Sequence, residues 1–217
     1  MAAWRDMKRN PYLNRHRWHI LSIGIMLILN LSGSAMAVSL DEFRAAAQHI
    51  HTLKADFVQE KHLKILSTPL LSRGVFYYQA PDTLRWEYRS PIKSLMLMNK
   101  GQVSRYLWTE SGFKEHRGPG TEGMQGVFGE INSWLKGNFD KDAFFRVRFE
   151  KTGHIILTPR DDAFRRLIQR IVLALSDRPG IIRSVTIYEG KDSFTRIFFN
   201  HLRINTPFDA SSFTAHP

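Results

Sequence analysis

Nine histidines are the residues of this 217-residue chain whose type most readily suggests metal or acid–base chemistry. His49 and His51 lie two positions apart on a predicted helix, and because residues three or four apart share a helix face, their side chains diverge. The other histidines are isolated on predicted strands or loops, or lie in the first 20 residues. The chain has no cysteine, which excludes thiolate ligands, a thiol nucleophile and a disulfide framework. We therefore predict no metal site and no cofactor.

The acidic and glycine-rich stretches carry no catalytic signature either. Asp161 and Asp162 follow Pro159 in a predicted turn, where a solvated pair is expected rather than an acid–base couple. The glycines at 118 and 120 lack the Gly-Lys-Ser/Thr ending of a phosphate-binding loop. No Gly-x-Ser-x-Gly elbow occurs. We predict a binding or structural protein and not an enzyme.

The first 37 residues have the pattern of a secretory signal. Basic residues between Arg5 and Arg17 precede an apolar run over residues 20–31, and Ala35-Met36-Ala37 fits a small-x-small cleavage site. The alternative is a retained membrane anchor, but a run of about a dozen residues is short of the ~20 that span a bilayer. We predict cleavage after Ala37 and an exported, soluble protein of the bacterial periplasm.

The charge and length of the remaining chain limit its partners. Five Lys/Arg and one acid lie in the predicted signal, so 26 of the 31 basic and 19 of the 20 acidic residues remain, a net charge of +7. The basic residues are scattered, and we predict no nucleic-acid partner. Attraction to anionic lipid surfaces and an ordinary solvated surface both fit this charge. Residues 38–217 contain no linker or repeat and are predicted to form a single, monomeric domain.

Strand periodicity dominates the rest of the sequence. Ser39 and Glu42 have the spacing of a capping box ahead of an amphipathic helix over residues 40–51. A second helix, residues 124–135, contains Gly126 and Gly129, each of which costs up to ~1 kcal/mol relative to alanine. A long loop is predicted over residues 109–123. The predicted strands are 54–61, 74–78, 83–89, 94–98, 103–108, 144–151, 154–158, 165–176, 181–188 and 193–201.

About ten antiparallel strands form a sheet that tends to curl into a sandwich or barrel, and two helices can cover one face or one mouth of it. The large apolar side chains on its inner face fit either a filled core or a pocket for an apolar ligand, and composition does not decide between the two. The candidates for such a pocket are Phe57, Phe76, Tyr78, Trp86, Tyr88, Leu95, Leu97, Tyr106, Trp108, Ile156, Ile187 and Phe199 on strands, and Met124, Phe128, Ile131 and Leu135 on the second helix.

Five short motifs follow one another along most of the chain after residue 37. They are ADFVQE (55–60), SRGVFYYQAPDTLRWEY (72–88) with Pro91 after it, NKGQ (99–102), IILTPR (155–160) and VTIYEGKDSFTRIFF (185–199), with Asn205 and Phe213 beyond them. The most specific part is the spacing of Gly74, Pro81, Leu84 and Trp86. In order and spacing these motifs resemble the periplasmic lipoprotein carriers of the LolA family.

The resemblance implies a mainly β structure with helices (α+β): an open, incomplete antiparallel β-barrel of ten to eleven strands with a helical lid over an apolar cavity. It implies that the candidate residues face this cavity, which would hold the acyl chains of a lipoprotein or a related lipid. The family carries its cargo from an inner-membrane ABC-type exporter to an outer-membrane acceptor, and these would be the partners. In the well-known carriers an arginine before the turn proline helps to latch the lid, and here that residue is Ala80.

Three alternatives stay open at this point. An outer-membrane acceptor of the same fold would insert an apolar loop into the membrane, and residues 62–71 could form one, although such acceptors are anchored through a cysteine. A lipid-sensing regulatory module of the same fold usually has a second domain. A structural periplasmic β-protein would simply have a filled core.

Overall fold

The computed structural model describes residues 39–117, 121–139 and 144–215, without the side chains of residues 121–125 and 210. The predicted signal peptide, residues 1–37, lies outside the described residues, so its cleavage after Ala37 stays a prediction, as does the single domain over 38–217. In the described ranges the chain forms eleven strands, three α-helices and one 3₁₀ helix.

All eleven strands belong to one antiparallel sheet in the order β6-β5-β4-β3-β2-β1-β11-β10-β9-β8-β7. The first and last strands therefore pair at its centre, and β6 and β7 are its two edges. The predicted fold class, an open antiparallel sheet with helices, is confirmed. The strands are β1 Thr52–His62, β2 Leu70–Gln79, β3 Thr83–Ser90, β4 Ser94–Asn99, β5 Gln102–Thr109, β6 Gly112–Glu115, β7 Phe145–Glu150, β8 His154–Pro159, β9 Arg170–Leu175, β10 Ile182–Tyr188 and β11 Phe194–Ile204.

The helices are α1 Leu40–Ala47, α2 Thr121–Leu135 and α3 Asp162–Leu167, with the 3₁₀ helix at Ala210–Phe213. The predicted capping box is present, since the amide of Glu42 donates to Ser39 Oγ at 3.1 Å and the amide of Ser39 donates to Glu42 Oε2 at 2.8 Å. Helix α1 ends at residue 47 rather than 51.

Two segments differ from the sequence prediction. The predicted loop over residues 109–123 contains β6, which pairs with β5 and packs Phe113 against Trp108 at 5.0 Å between ring centroids. The predicted strand over residues 165–176 is α3 followed by β9. Asp161 explains why a helix forms in this predicted strand. Its carboxylate accepts a hydrogen bond from the amide of Phe164 at 2.8 Å, which caps the start of α3, and the strand-like alternation of the sequence begins only after the helix.

The β1–β11 pair joins the two halves of the chain. Phe57 lies opposite Phe199, and because opposed residues of paired strands share a face, both rings lie on the same face of the sheet. We call this the inner face. Asn205 closes the pair at its end, where its side chain accepts the amide of His51 at 2.8 Å and donates to the carbonyl of His49 at 2.9 Å.

The C-terminal segment covers part of the opposite, outer face. Phe208 and Phe213 pack against Tyr77 of β2, with ring centroids 5.5 and 6.4 Å away. Arg85 of β3 donates to the carbonyl of Thr214 at 2.6 Å and makes two bonds to Glu87, at 2.9 and 3.0 Å. The outer face of β2 and β3 is thus held by aromatic packing and a partly buried ion pair.

Gly74 is the first residue of the motif that continues with Pro81, Leu84 and Trp86. It lies against the ring of Phe57. It is opposite Phe57 on β1 and Tyr88 on β3. A β-carbon at this position would overlap the carbonyl oxygen of Glu87 and lie 2.5 Å from the Phe57 ring. Both neighbours are confined, one as backbone and the other as a fully buried ring, so the site admits only glycine.

We therefore predict that Gly74→Ala lowers the free energy of unfolding by ~1–3 kcal/mol or more, the usual cost of overpacking a core. Gly129→Ala is the matched control, because a β-carbon there meets nothing within 4 Å and alanine is favoured in a helix by up to ~1 kcal/mol. Urea unfolding followed by circular dichroism measures both. Equal midpoints for Gly74→Ala and the wild type would contradict the prediction.

Candidate ligand cavity

A cavity of about 550 Å³ lies against the inner face. Strands β1–β3, β7 and β9–β11 contribute to its wall, together with α2, α3 and the turn before β10. Every lining residue is apolar or aromatic apart from two glycines and the three charged residues Glu130, Arg160 and Asp161. The volume lies within the range of about 300–1,000 Å³ that is typical of small-molecule sites. The surface is suited to hydrocarbon, which binds because it leaves water.

Two packed clusters supply this wall. The first surrounds Trp86 and includes Leu53, Phe76, Tyr78 and Ile197. The second surrounds Trp134 of α2. The filled core and the open pocket, which composition could not separate, are therefore both present: two close-packed clusters border one cavity. The members of the second cluster that also line the cavity are Trp134, Phe145 and Ile171.

Seven of the predicted candidates line the cavity: Phe76, Tyr78, Trp86, Ile131, Leu135, Ile187 and Phe199. Three more lie behind that wall. The Phe57 ring packs on Trp86 at 5.2 Å and on Tyr88 at 5.1 Å, and Phe128 of α2 meets Trp86 at 6.4 Å. Trp86 itself is only 6% exposed, so it is part of the core as much as of the cavity wall. Phe57, Tyr88 and Phe128 support the cavity without lining it.

Four of the residues predicted to face the cavity lie on the outer face instead: Leu95, Leu97, Tyr106 and Trp108. Met96 is opposite Trp86, so its neighbours Leu95 and Leu97 point the other way, and Tyr106 is opposite Leu95. Strand β4 is apolar on both faces, so its sequence pattern does not indicate which set faces inward. The pairing of β4 with β3 shows that Met96 lies on the inner face and that Leu95 and Leu97 do not.

Ile156 also lies on the outer face. Its neighbours Ile155 and Leu157 are fully buried in the second cluster, whereas Ile156 lines an outer groove with Arg148 and Arg170. The Met124 side chain lies outside the described residues, so its predicted role stays a prediction.

Other lining residues were not among the sequence candidates. Val185 and Ile197 lie two positions from Ile187 and Phe199, so a stricter application of strand alternation would have found them. Phe164 lines the cavity from α3, and only recognition of Asp161 as a helix N-cap would have placed it there. Trp134 follows Ile131 at helical spacing on α2.

The opening of the cavity is marked by residues that both line it and reach solvent. Val127 and Phe144 are about half exposed, at 49% and 56%. Arg160 and Asp161 are exposed as well. The rim of the cavity therefore combines exposed apolar side chains with charged groups.

A second exposed apolar surface lies away from the cavity lining, in the loop between β1 and β2 and the first two residues of β2. Ile65 is 87% exposed, and Leu66, Leu70 and Leu71 are between 42% and 53% exposed. Lys64 lies beside them in the sequence. Four large aliphatic side chains in one short exposed segment exceed the scatter of single apolar residues that is normal on a protein surface.

Two tyrosines of the inner face have perturbed acidity. Burial raises the pKa of Tyr78 above its ordinary value near 10, and the charge of Asp82 raises it further. Burial also raises the pKa of Tyr88, an effect that the adjacent Trp86 side chain partly offsets. The Tyr88 hydroxyl donates to Gln59 Oε1 at 2.8 Å. Both phenols are thus held neutral by an apolar environment.

Within 39–117, 121–139 and 144–215, no group of three or more His, Asp or Glu side chains comes together in a way that could hold a metal ion. None of the helices in that part of the chain is both long and apolar enough to cross a membrane.

Fold and cavity together define a class of protein: an open antiparallel sheet with an apolar cavity on the face that its helices cover. The comparison with protein families agrees with this class. The chain belongs to the family described as outer membrane lipoprotein carrier protein LolA, whose model matches residues 48–216. The family predicted from the sequence is therefore confirmed.

Several solved structures are similar to this chain at low sequence identity. A LolA superfamily protein from Nitrosomonas europaea has a TM-score of 0.42 and 10% identity, over 82% of this chain and 98% of that one. A putative outer membrane lipoprotein-sorting protein domain from Vibrio parahaemolyticus has a TM-score of 0.40 and 11% identity, over 82% and 96%. MucB in the MucA/MucB complex of Pseudomonas aeruginosa has a TM-score of 0.47 and 14% identity, over 81% of this chain and 59% of that one. No curated protein sequence matches the chain.

The raised pKa values of Tyr78 and Tyr88 predict a loss of stability in alkali. The unfolded phenols ionise near pH 10 and the folded ones ionise later, so their contribution is complete below pH 10 and is lost as the pH rises through the folded pKa values. Urea unfolding between pH 8 and 11 measures the slope. A Tyr78→Phe/Tyr88→Phe variant should have a shallower slope, whatever its stability at pH 8. An unchanged slope would count against the burial assigned to both rings.

Proposed function

We propose that this protein is a periplasmic carrier that holds the acyl chains of a lipoprotein, or of a related lipid, in the cavity and moves them from the inner to the outer membrane. The observation that carries the proposal is the apolar cavity of about 550 Å³ in a member of the lipoprotein-carrier family. An inner-membrane ABC-type exporter and an outer-membrane acceptor are the partners proposed with it. The chemistry required is binding and release without a catalytic step.

The energetics support the need for an enclosed path. Exposing a 16-carbon acyl chain to water costs about 13 kcal/mol, at ~0.8 kcal/mol per methylene. At ~30 Å³ per carbon, comparable with the volume share of one water molecule, such a chain needs about 480 Å³. The cavity therefore has room for at least one chain of this length.

Release requires that α2 can move away from the sheet. The aromatic contacts of α2 with the sheet join Phe128 to Trp86 at 6.4 Å and Trp134 to Phe145 at 6.2 Å. Ala80, which stands where the family has its latching arginine, packs against the first cluster as a small apolar residue. We propose that the lid of this carrier is held mainly by apolar contacts, which an entering acyl chain replaces with contacts of the same kind.

Two isoleucines on opposite faces of the sheet provide the test. Ile187 lines the cavity and Ile156 lies in the outer groove, and both are partly buried. Ile187→Gln places an amide against the acyl chain, a cost of ~1–3 kcal/mol, so we predict roughly tenfold weaker acyl binding. Ile156→Gln should bind like the wild type.

Displacement of a fluorescent fatty acid from the purified protein measures these affinities, and native mass spectrometry of protein released gently from periplasm detects cargo directly. Equal affinities in both variants would place the acyl site elsewhere. Failure of the wild type both to bind the fatty acid and to retain any lipid would reject the carrier function and favour a structural role.

The exposed loop between β1 and β2 favours a second candidate function, that of an acceptor which inserts this loop into a membrane. Ile65 is the most exposed of its apolar residues, at 87%. We predict that Ile65→Gln weakens co-sedimentation with anionic liposomes several-fold. Ile92→Gln, which changes an isoleucine that follows β3 and is also largely exposed, should not weaken it. If the wild type stays in the supernatant, the second candidate is rejected and the carrier proposal is unaffected.

A further inference from the structure

We propose that Arg160 recognises an anionic head group at the opening of the cavity, so that the preferred ligand is an acyl chain ending in a carboxylate or a phosphate. This inference rests on the proposed function, because it concerns the polar end of the same ligand. It is independent of which exporter or acceptor the protein meets.

Arg160 is the only cation among the residues found to line the cavity, and it is exposed to solvent. A group that borders both hydrocarbon space and water lies where the polar end of a bound amphiphile must come to rest. Val127 and Phe144 mark the same opening with exposed apolar side chains. An acyl chain that fills the cavity would therefore present its head within reach of this rim.

The Arg160 side chain is anchored on the side away from its terminal nitrogens. Its Nε donates to the carbonyl of Phe145 at 3.0 Å, and its amide donates to the carbonyl of Phe144 at 2.8 Å. Its own carbonyl accepts from Arg165 Nη2 at 3.2 Å. The Nε bond orients the guanidinium and the other two bonds hold the backbone of Arg160, which together reduce the entropy lost when the side chain binds a ligand.

The two terminal nitrogens of Arg160 have no carboxylate partner in the described part of the chain. Nearby acids are engaged in other contacts: Asp161 accepts the amide of Phe164, and Asp162 pairs with Arg165 at 3.0 Å. The planar fork of an arginine matches the oxygens of a carboxylate or a phosphate, and such charge-assisted bonds are the strong ones. A neutral ester presents no charge to this fork.

A carboxylate and a phosphate share this chemistry, and matched probes distinguish them. Four ligands carry the same 16-carbon chain brominated at its middle: the free acid, its methyl ester, the monoacylglycerol and the monoacylglycerol phosphate. Without its first 37 residues the chain has three tryptophans, Trp86, Trp108 and Trp134, and two of them line the cavity. Bromine quenches tryptophan fluorescence at short range, so quenching reports occupancy of the cavity itself.

The wild type should bind the charged member of at least one pair ten times more tightly than its neutral partner. Arg160→Gln should reduce this ratio to near one and leave affinity for the neutral ligands unchanged. Arg160→Lys, which keeps the charge and loses the fork, should give an intermediate ratio. Arg146→Gln is the matched control, since Arg146 is an exposed arginine opposite Thr158 on the outer face and its loss should leave the ratio intact.

Each outcome has one meaning. A preference for the acid over its ester assigns a carboxylate head, and a preference confined to the phosphate assigns a phosphate head. Equal binding of charged and neutral ligands, or an unchanged ratio in a folded Arg160→Gln protein, overturns the inference and leaves the carrier function standing. Absence of quenching by all four ligands rejects the carrier function itself.

Discussion

The pairing of β1 with β11 is the interaction on which the rest of the molecule depends. It joins the first strand to the last and so makes one sheet from two halves of the chain. The cavity takes its wall from β1–β3 on one side of this seam and from β9–β11 on the other. Neither half could enclose apolar space without the other, because a curled sheet encloses a volume only when its inner face is continuous.

The two packed clusters explain why the cavity persists. Protein interiors are close-packed and contain few voids larger than a water molecule. Here the regions around Trp86 and Trp134 are tightly packed, and their rigid walls keep the space between them from being filled by small shifts of neighbouring side chains. Gly74 has a part in this arrangement, since only the absence of its side chain leaves room for the Phe57 ring that packs on Trp86.

The cavity has two chemically different sides. Its inner wall is apolar, and because the hydrophobic effect is non-directional, such a wall discriminates little between one hydrocarbon chain and another. Its rim contains Arg160 and Asp161 beside exposed apolar side chains. In the proposed carrier, affinity and selectivity would therefore come from different residues, and the lid would open by losing apolar contacts without breaking a charged latch.

Most of the fold could be predicted from the sequence, because its signals are local. Period-two alternation located nearly every strand, and the capping box at Ser39 located the start of α1. The motif order also indicated the family. Seven candidate residues line the cavity, four of them aromatic residues on β2, β3 and β11 and three of them aliphatic residues on α2 and β10.

The tertiary structure decided between side chains that local sequence patterns cannot assign to one face or the other. Leu95 and Met96 are both apolar, so only the register of β4 against β3 shows that Met96 shares the face of Trp86. Phe164 joins the wall because Asp161 begins a helix inside a strand-like stretch. The sequence by itself determined most of the strands, the family and the apolar character of the inner face. Strand pairing determined which side chains surround the cavity, because a face is a property of two strands together and not of either one alone.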